Sequence, residues 1–159
     1  MSARTTPVER TELEVRGWSN PAPGMWHVHF AWPTNPLPMN GPKGANWRRA
    51  AVAERDVRDH AQQLIQQFAR IPALGRCRAL VTWWVTTNHV RDVDNLGRLE
   101  KRLFDAIVRA GVVADDRPAL MVKDRAAILP VSQSAGLVSD RGFTLTIIRL
   151  DDPQGGDAA

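Results

Sequence analysis

A small mixed α/β (α+β) fold in the order β-α-β-α-β-β is what this sequence predicts, and three observations predict it. Three runs rich in β-branched and aromatic residues, MWHVHFAW (25–32), RALVTWWVTT (78–87) and FTLTIIRL (143–150), have the composition of strands. Between them lie two apolar stripes at three- and four-residue steps, the mark of amphipathic helices. A length of 159 residues with 43% apolar and 24% charged content suits one domain with a single core.

Residues 1–24 carry Pro7, Pro21, Pro23 and Gly24 among polar residues and read as a flexible, mostly irregular lead-in, to which TELEV adds a short edge strand. The folded domain is expected over 25–150. Its first strand, 25–32, runs into PTNPLPMNGPKG (33–44), a loop with four prolines and two glycines. From Trp47 to about Arg70, Ala50, Ala53, Val57, Ala61, Leu64 and Phe68 form one apolar stripe, and Pro72 and Gly75 end the helix. The strand 78–87 should be central. A second helix follows, with Leu96, Leu99, Leu103, Ile107 and Ala110 on one face and Gly111 placed to cap its C-terminus. ALMVKDRAAILPV (119–131) and FTLTIIRL read as two further strands, antiparallel neighbours across SQSAGLVSDRG. The tail 151–159 reads as disordered.

Composition narrows the function. The formal charge is +4, the sequence pI is near 10.2, and 18 of the 21 basic residues are Arg; Lys43, Lys101 and Lys123 are the rest. Arg forks match phosphate geometry, so the balance leans toward nucleic acid. Cys77 is the only cysteine, which excludes an internal disulfide and a Cys-rich zinc site and reads as inert packing. No secretory leader and no stretch of membrane-spanning length appear, so a cytoplasmic location without membrane partners is expected. No phosphate-binding loop or dinucleotide fingerprint occurs, so no nucleotide cofactor is expected.

Chemistry concentrates in residues 91–125. Asp92 and Asp94 stand two apart at the end of a strand, an apolar helix follows, and Asp115 and Asp116 precede the next strand. Each pair alone has a structural reading, Asp94-Asn95 as a helix cap and Asp115-Asp116 as a turn. Together they flank one helix in a basic chain; with these four carboxylates set aside, the formal +4 becomes +8. Carboxylates about 4 Å apart repel by roughly 4 kcal/mol at an effective dielectric of 20. A bound divalent cation reverses that sign, and hard oxygen donors suit Mg²⁺, with Mn²⁺ as a substitute. At about 100° per residue, Arg98, Lys101 and Asp105 fall on the same side of the helix as Asp94. Phosphate contacts are expected from Lys43, Arg48, Arg49, Arg55 and Arg98. His27 and His29 form an H-x-H pattern that reads as structural. Trp83 and Trp84 cannot both face the core, and one of them is a candidate for an interface or for stacking on DNA.

DVDN (92–95), Lys101, FDAI (104–107), AGVV (110–113) and DD (115–116) resemble, in order, the motif of the RusA family of Holliday-junction resolvases. The resemblance implies Asp92, Asp94 and Asp116 as Mg²⁺ ligands and Lys101 as the essential base or charge stabiliser. In the family's best-known member the Lys follows Asp-x-Asp-Asn sooner, so Arg98 keeps a claim to that role. The resemblance also implies a homodimer that makes paired symmetric nicks in branched DNA, a four-way junction above all, in recombination and repair. Two rivals stay open: a catalytically silent junction-binding accessory protein of the same fold, and a metal-stabilised structural domain.

Overall fold

Strands β3 (Cys77–Val85) and β6 (Gly142–Arg149) run antiparallel through the middle of a six-stranded mixed sheet. The computed structural model describes residues 11–39 and 47–150. On the far side of β6 lies β2 (Met25–Phe30), and β1 (Trp18–Ala22) forms the border beyond it, both pairings antiparallel. On the other side of β3 lie two short parallel strands end to end. They are β4 (Met121–Lys123), against residues 77–79, and β5 (Ala127–Pro130), against residues 82–85. The expected mixed α+β architecture with two main helices is therefore present.

Alternation along the strands decides which face is covered. Trp26, Val28 and Phe30 of β2, Cys77, Ala79 and Val81 of β3, and Phe143, Leu145 and Ile147 of β6 are buried in one cluster with the helices. Helix α2 (Trp47–Gln63) contributes Val57 and Ala61 to that cluster, and α3 (Gly97–Arg109) contributes Leu99, Leu103, Phe104 and Ile107. Cys77 lies fully buried here, and burial pushes its thiol up to about 11, as inert packing requires. The opposite face carries a smaller cluster of Leu13, Trp84 and Val138. Trp84 donates its indole N–H to Thr144 Oγ1 at 2.9 Å. Trp83, on the helix-covered face, is half-buried and stacks on Phe143 at 5.2 Å. His29 is buried beside Thr144 and His27 half-buried beside Thr146, so both histidines have hydroxyl neighbours in the sheet.

Four expectations need correction. TELEV is no strand: Glu12–Arg16 forms a short helix, α1, and the border strand is the next segment. Thr11 and Glu14 cap α1 reciprocally, and Glu14 also accepts the Ser139 and Asp140 amides at 2.8 and 3.0 Å. Over its described part, then, the lead-in 1–24 is regular structure tied to the domain; residues 1–10, like the tail 151–159, lie outside the described residues. Segment 119–131 is two strands, and neither neighbours β6, because β3 stands between them. Finally, Phe68 leaves the α2 stripe and is 53% exposed, because Leu64–Phe68 is a π-helical turn; its wider spacing puts Ala69 at the core instead.

Candidate active site

The break in the border strand makes the site. Between β4 and β5 the Asp124 amide still donates to the Ala79 carbonyl at 3.0 Å, then the chain leaves the ladder, and the gap faces the start of α3. Asp94, Gly97, Glu100 and Phe104 line one side of the resulting hollow, and Lys123, Asp124, Arg125 and Ala126 the other; its volume is about 430 Å³. A second hollow of about 310 Å³ shares Gly97, Glu100, Phe104 and Lys123 and adds Lys101 and Asp116. The two form one acidic groove with cations set into it.

Local structure explains which helix residues face the groove. Val93–Leu96 is a 3₁₀ turn, and α3 begins only at Gly97, which continues the helix with φ −57° and ψ −39° rather than breaking it. Three residues of 3₁₀ helix make about one full turn, where α-helix would stop about 60° short. Gly97 therefore repeats the direction of Asp94, with Glu100, Lys101 and Phe104 within about 60° of it. Arg98 and Asp105 are rotated away by about 80–100°, toward α2. There Arg98 donates to Glu54 at 2.7 and 3.1 Å, while Arg102 bridges Glu54 at 3.0 Å and Asp105 at 3.1 Å. Burial would raise the Glu54 carboxyl, yet its bonds to Arg98 and Arg102 hold it below the usual range. Of the two candidates for the catalytic cation, only Lys101 lines the groove.

The three aspartates have different neighbours. Asp92 accepts the Asp94 amide at 2.9 Å and so caps the 3₁₀ turn; it lines neither hollow. Asp94 is exposed in the first hollow. Asp115 accepts the Arg117 amide at 3.0 Å and shapes the turn before β4, which leaves Asp116 to reach Lys123 Nζ at 2.7 Å. That hydrogen bond and the charges of Lys123 and Lys101 hold the Asp116 carboxyl below the ordinary range. Among the described residues no three acidic, histidine or cysteine side chains stand close enough to hold a metal ion. The donors flanking the groove are nonetheless carboxylate oxygens throughout, and the ammonium of Lys123 neutralises the one a divalent cation would need.

Two groove residues escape a reading of the sequence. Glu100 lines both hollows, and burial, then the charge of Asp94, raises its carboxyl. Its signal exists only once the 3₁₀ turn is known, since an unbroken helix points it elsewhere. Lys123 follows the last apolar residue of β4 and lies 5.6 Å over the Phe104 ring. Of the expected phosphate contacts, Arg48, Arg49 and Arg55 are exposed along α2, with Arg48 5.3 Å over the Trp47 ring. Arg98 is engaged by Glu54, and Lys43 lies outside the described residues. No helix among the described residues is long and apolar enough to cross a membrane. No family model matches this chain and no curated protein matches it, so the chemistry of the site rests on its own residues.

Proposed function

We propose that this chain is a Mg²⁺-dependent, structure-specific DNA endonuclease of the RusA-like type, cutting four-way junctions by paired nicks as a homodimer. One observation carries the reading. In a chain of net positive charge, Asp94 and Asp116 open onto adjoining hollows whose shared wall holds Glu100 and Lys123, with Lys101 beside them. A cationic surface gathers DNA, and the acidic groove is where a phosphate needs a counter-ion. Asp94 and Asp116, which face the groove, would hold Mg²⁺, or Mn²⁺ in its place, with Asp92 assigned to it by the family resemblance alone; when bound it would supply a Lewis acid for the phosphate and a more acidic water. Lys101 sets a fixed positive charge beside the scissile phosphate. Lys123 neutralises Asp116, which would have to give up this partner to hold a divalent cation. Glu54 holds Arg98 to α2, so Arg98 serves the packing of α3 rather than the chemistry.

A labelled four-way junction incubated beside a duplex of the same sequence, with Mg²⁺ and with EDTA, tests this. Symmetric nicks are expected on the junction with Mg²⁺ only. Binding without cutting in Mg²⁺ and in Mn²⁺ gives the protein to the second reading, a silent junction-binding accessory. That reading has the Lys123–Asp116 pair in its favour. Absence of DNA binding removes both.

Within the first reading, Lys101→Ala is expected to slow single-turnover cleavage by at least about a hundred-fold, the scale for losing one preorganised charge stabiliser. Arg98→Ala is expected to leave the rate within about three-fold and to lower stability by up to about 1 kcal/mol, since it removes one ion pair from Glu54. The reverse ranking would return the catalytic role to Arg98.

A further inference from the structure

A separate cavity of about 350 Å³ opens at the C-terminal end of β3. That volume falls within the range of about 300–1,000 Å³ typical of ligand pockets. Trp83, Trp84, Thr87, His89, Arg91 and Arg141 line it together with 33–34 and 85–86, and no lining residue is acidic. Its wall is layered. Phe143 stacks on the Trp83 indole, nearly parallel at 16°, and the Arg91 guanidinium lies 5.3 Å over the same ring. Arg91 is held there: it donates to the carbonyls of Thr87 and His89 at 2.9 and 3.0 Å and to Thr87 Oγ1 at 2.6 Å. These bonds fix the guanidinium plane, and such a plane beside an indole is a surface on which a nucleobase stacks. Arg141 adds a phosphate-binding charge at the rim.

We propose that this cavity receives one unpaired nucleotide of a DNA strand, its base stacked on the Trp83–Arg91 layer and its phosphate met by Arg141. The inference rests on the nuclease reading and deepens it. Arg91 and Asp94 are three residues apart, so their Cα atoms lie within about 11 Å of each other. A strand with a phosphate at the acidic groove can therefore extend a nearby nucleotide to the cavity, and a base freed from pairing at a branch point can enter.

The test measures binding by the whole 159-residue chain in EDTA, so that cutting plays no part. Two labelled duplexes are compared, identical but for one extra unpaired thymidine in the second. The bulged duplex is expected to bind about ten-fold more tightly, the scale of one base stack. Arg91→Ala and Trp83→Leu are expected to erase that preference while changing matched-duplex affinity by less than about three-fold, a single phosphate contact being the most they share. Trp83→Phe keeps an aromatic ring behind the guanidinium and should retain most of the preference. Arg91→Lys keeps the charge without the plane and should not. Wild-type protein that binds both duplexes equally overturns the proposal and leaves the nuclease reading standing. Equal losses on both duplexes in Arg91→Ala also overturn it, since Arg91 is then an ordinary phosphate contact. Failure to bind either duplex, or any branched DNA, overturns the nuclease reading and this inference with it.

Discussion

Asp94→Asn is expected to give a folded protein that binds a four-way junction at least as tightly as wild type and no longer cuts it. Asp94 is exposed in the groove, and its side chain makes no hydrogen bond or ion pair among the described residues. The fold therefore loses no side-chain bond by the change, only a favourable charge at the start of the helix, about 0.3–1 kcal/mol. What changes is charge: the amide keeps the size of the carboxylate and removes one anion from the place where a phosphate must lie, a relief on the order of 1 kcal/mol across about 4 Å of water. The same lost anion weakens the hold on a divalent cation, and cleavage is expected to fall by at least about a thousand-fold. Single-turnover cleavage and fluorescence anisotropy on one junction, with thermal unfolding as a control, separate the effects. Cutting at near the wild-type rate would sink the assignment of Asp94. Loss of binding together with a lowered melting temperature would make the residue structural.

Gly142→Ala is expected to cost about 1–3 kcal/mol of stability, the scale of overpacking a well-filled site. In a domain of this size that lowers the melting temperature by roughly 2–4 °C for each kcal/mol. Gly142 opens β6 beside Trp84 and the end of β2. A Cβ placed on it meets the Phe30 carbonyl oxygen and His29 Cε1, each at 2.7 Å. The ring of His29 can give way, but the backbone oxygen cannot without moving the strand. Adding His29→Ala to Gly142→Ala should therefore recover only part of the loss in differential scanning calorimetry. A single variant that melts within a degree of wild type would show that the two strands do not approach so closely.

These expectations draw on different depths of the sequence. Strand 25–32, strand 78–87 and the apolar stripe Leu96–Ile107 were legible because each is a local pattern with a local cause, alternation or helical period. So was Gly111, whose φ of +83° just past α3 needs a glycine. The partner of 119–131 was not legible: whether a strand pairs with β3 or β6 depends on contacts far away in the chain, and VKDRAA gives no sign that its polar centre leaves the ladder. The helix at 12–16 was partly legible, since Thr11 and Glu14 have capping-box spacing, but five residues are too few to show a period. Of the four aspartates that the sequence singles out, Asp94 and Asp116 line the hollows. Their division of labour, with Asp92 and Asp115 bonding backbone amides and Asp94 and Asp116 facing the groove, depends on turn geometry, and a 60° change of helical phase decided between Lys101 and Arg98.

The broken border strand that forms the groove also governs how copies of this protein can meet. A sheet grows by strand addition only where a margin offers an unbroken row of amides and carbonyls. One margin here is divided into pieces of three and four residues by Asp124–Ala126. The other, β1, has a register irregularity between Ser19 and Ala22 and carries Pro21, which has no amide to give. Neither margin offers such a row, so the proposed homodimer is not expected to form by continuing one sheet across a twofold axis. In the proposed homodimer the subunits would then join through helix or sheet faces, which would leave the border groove of each subunit uncovered.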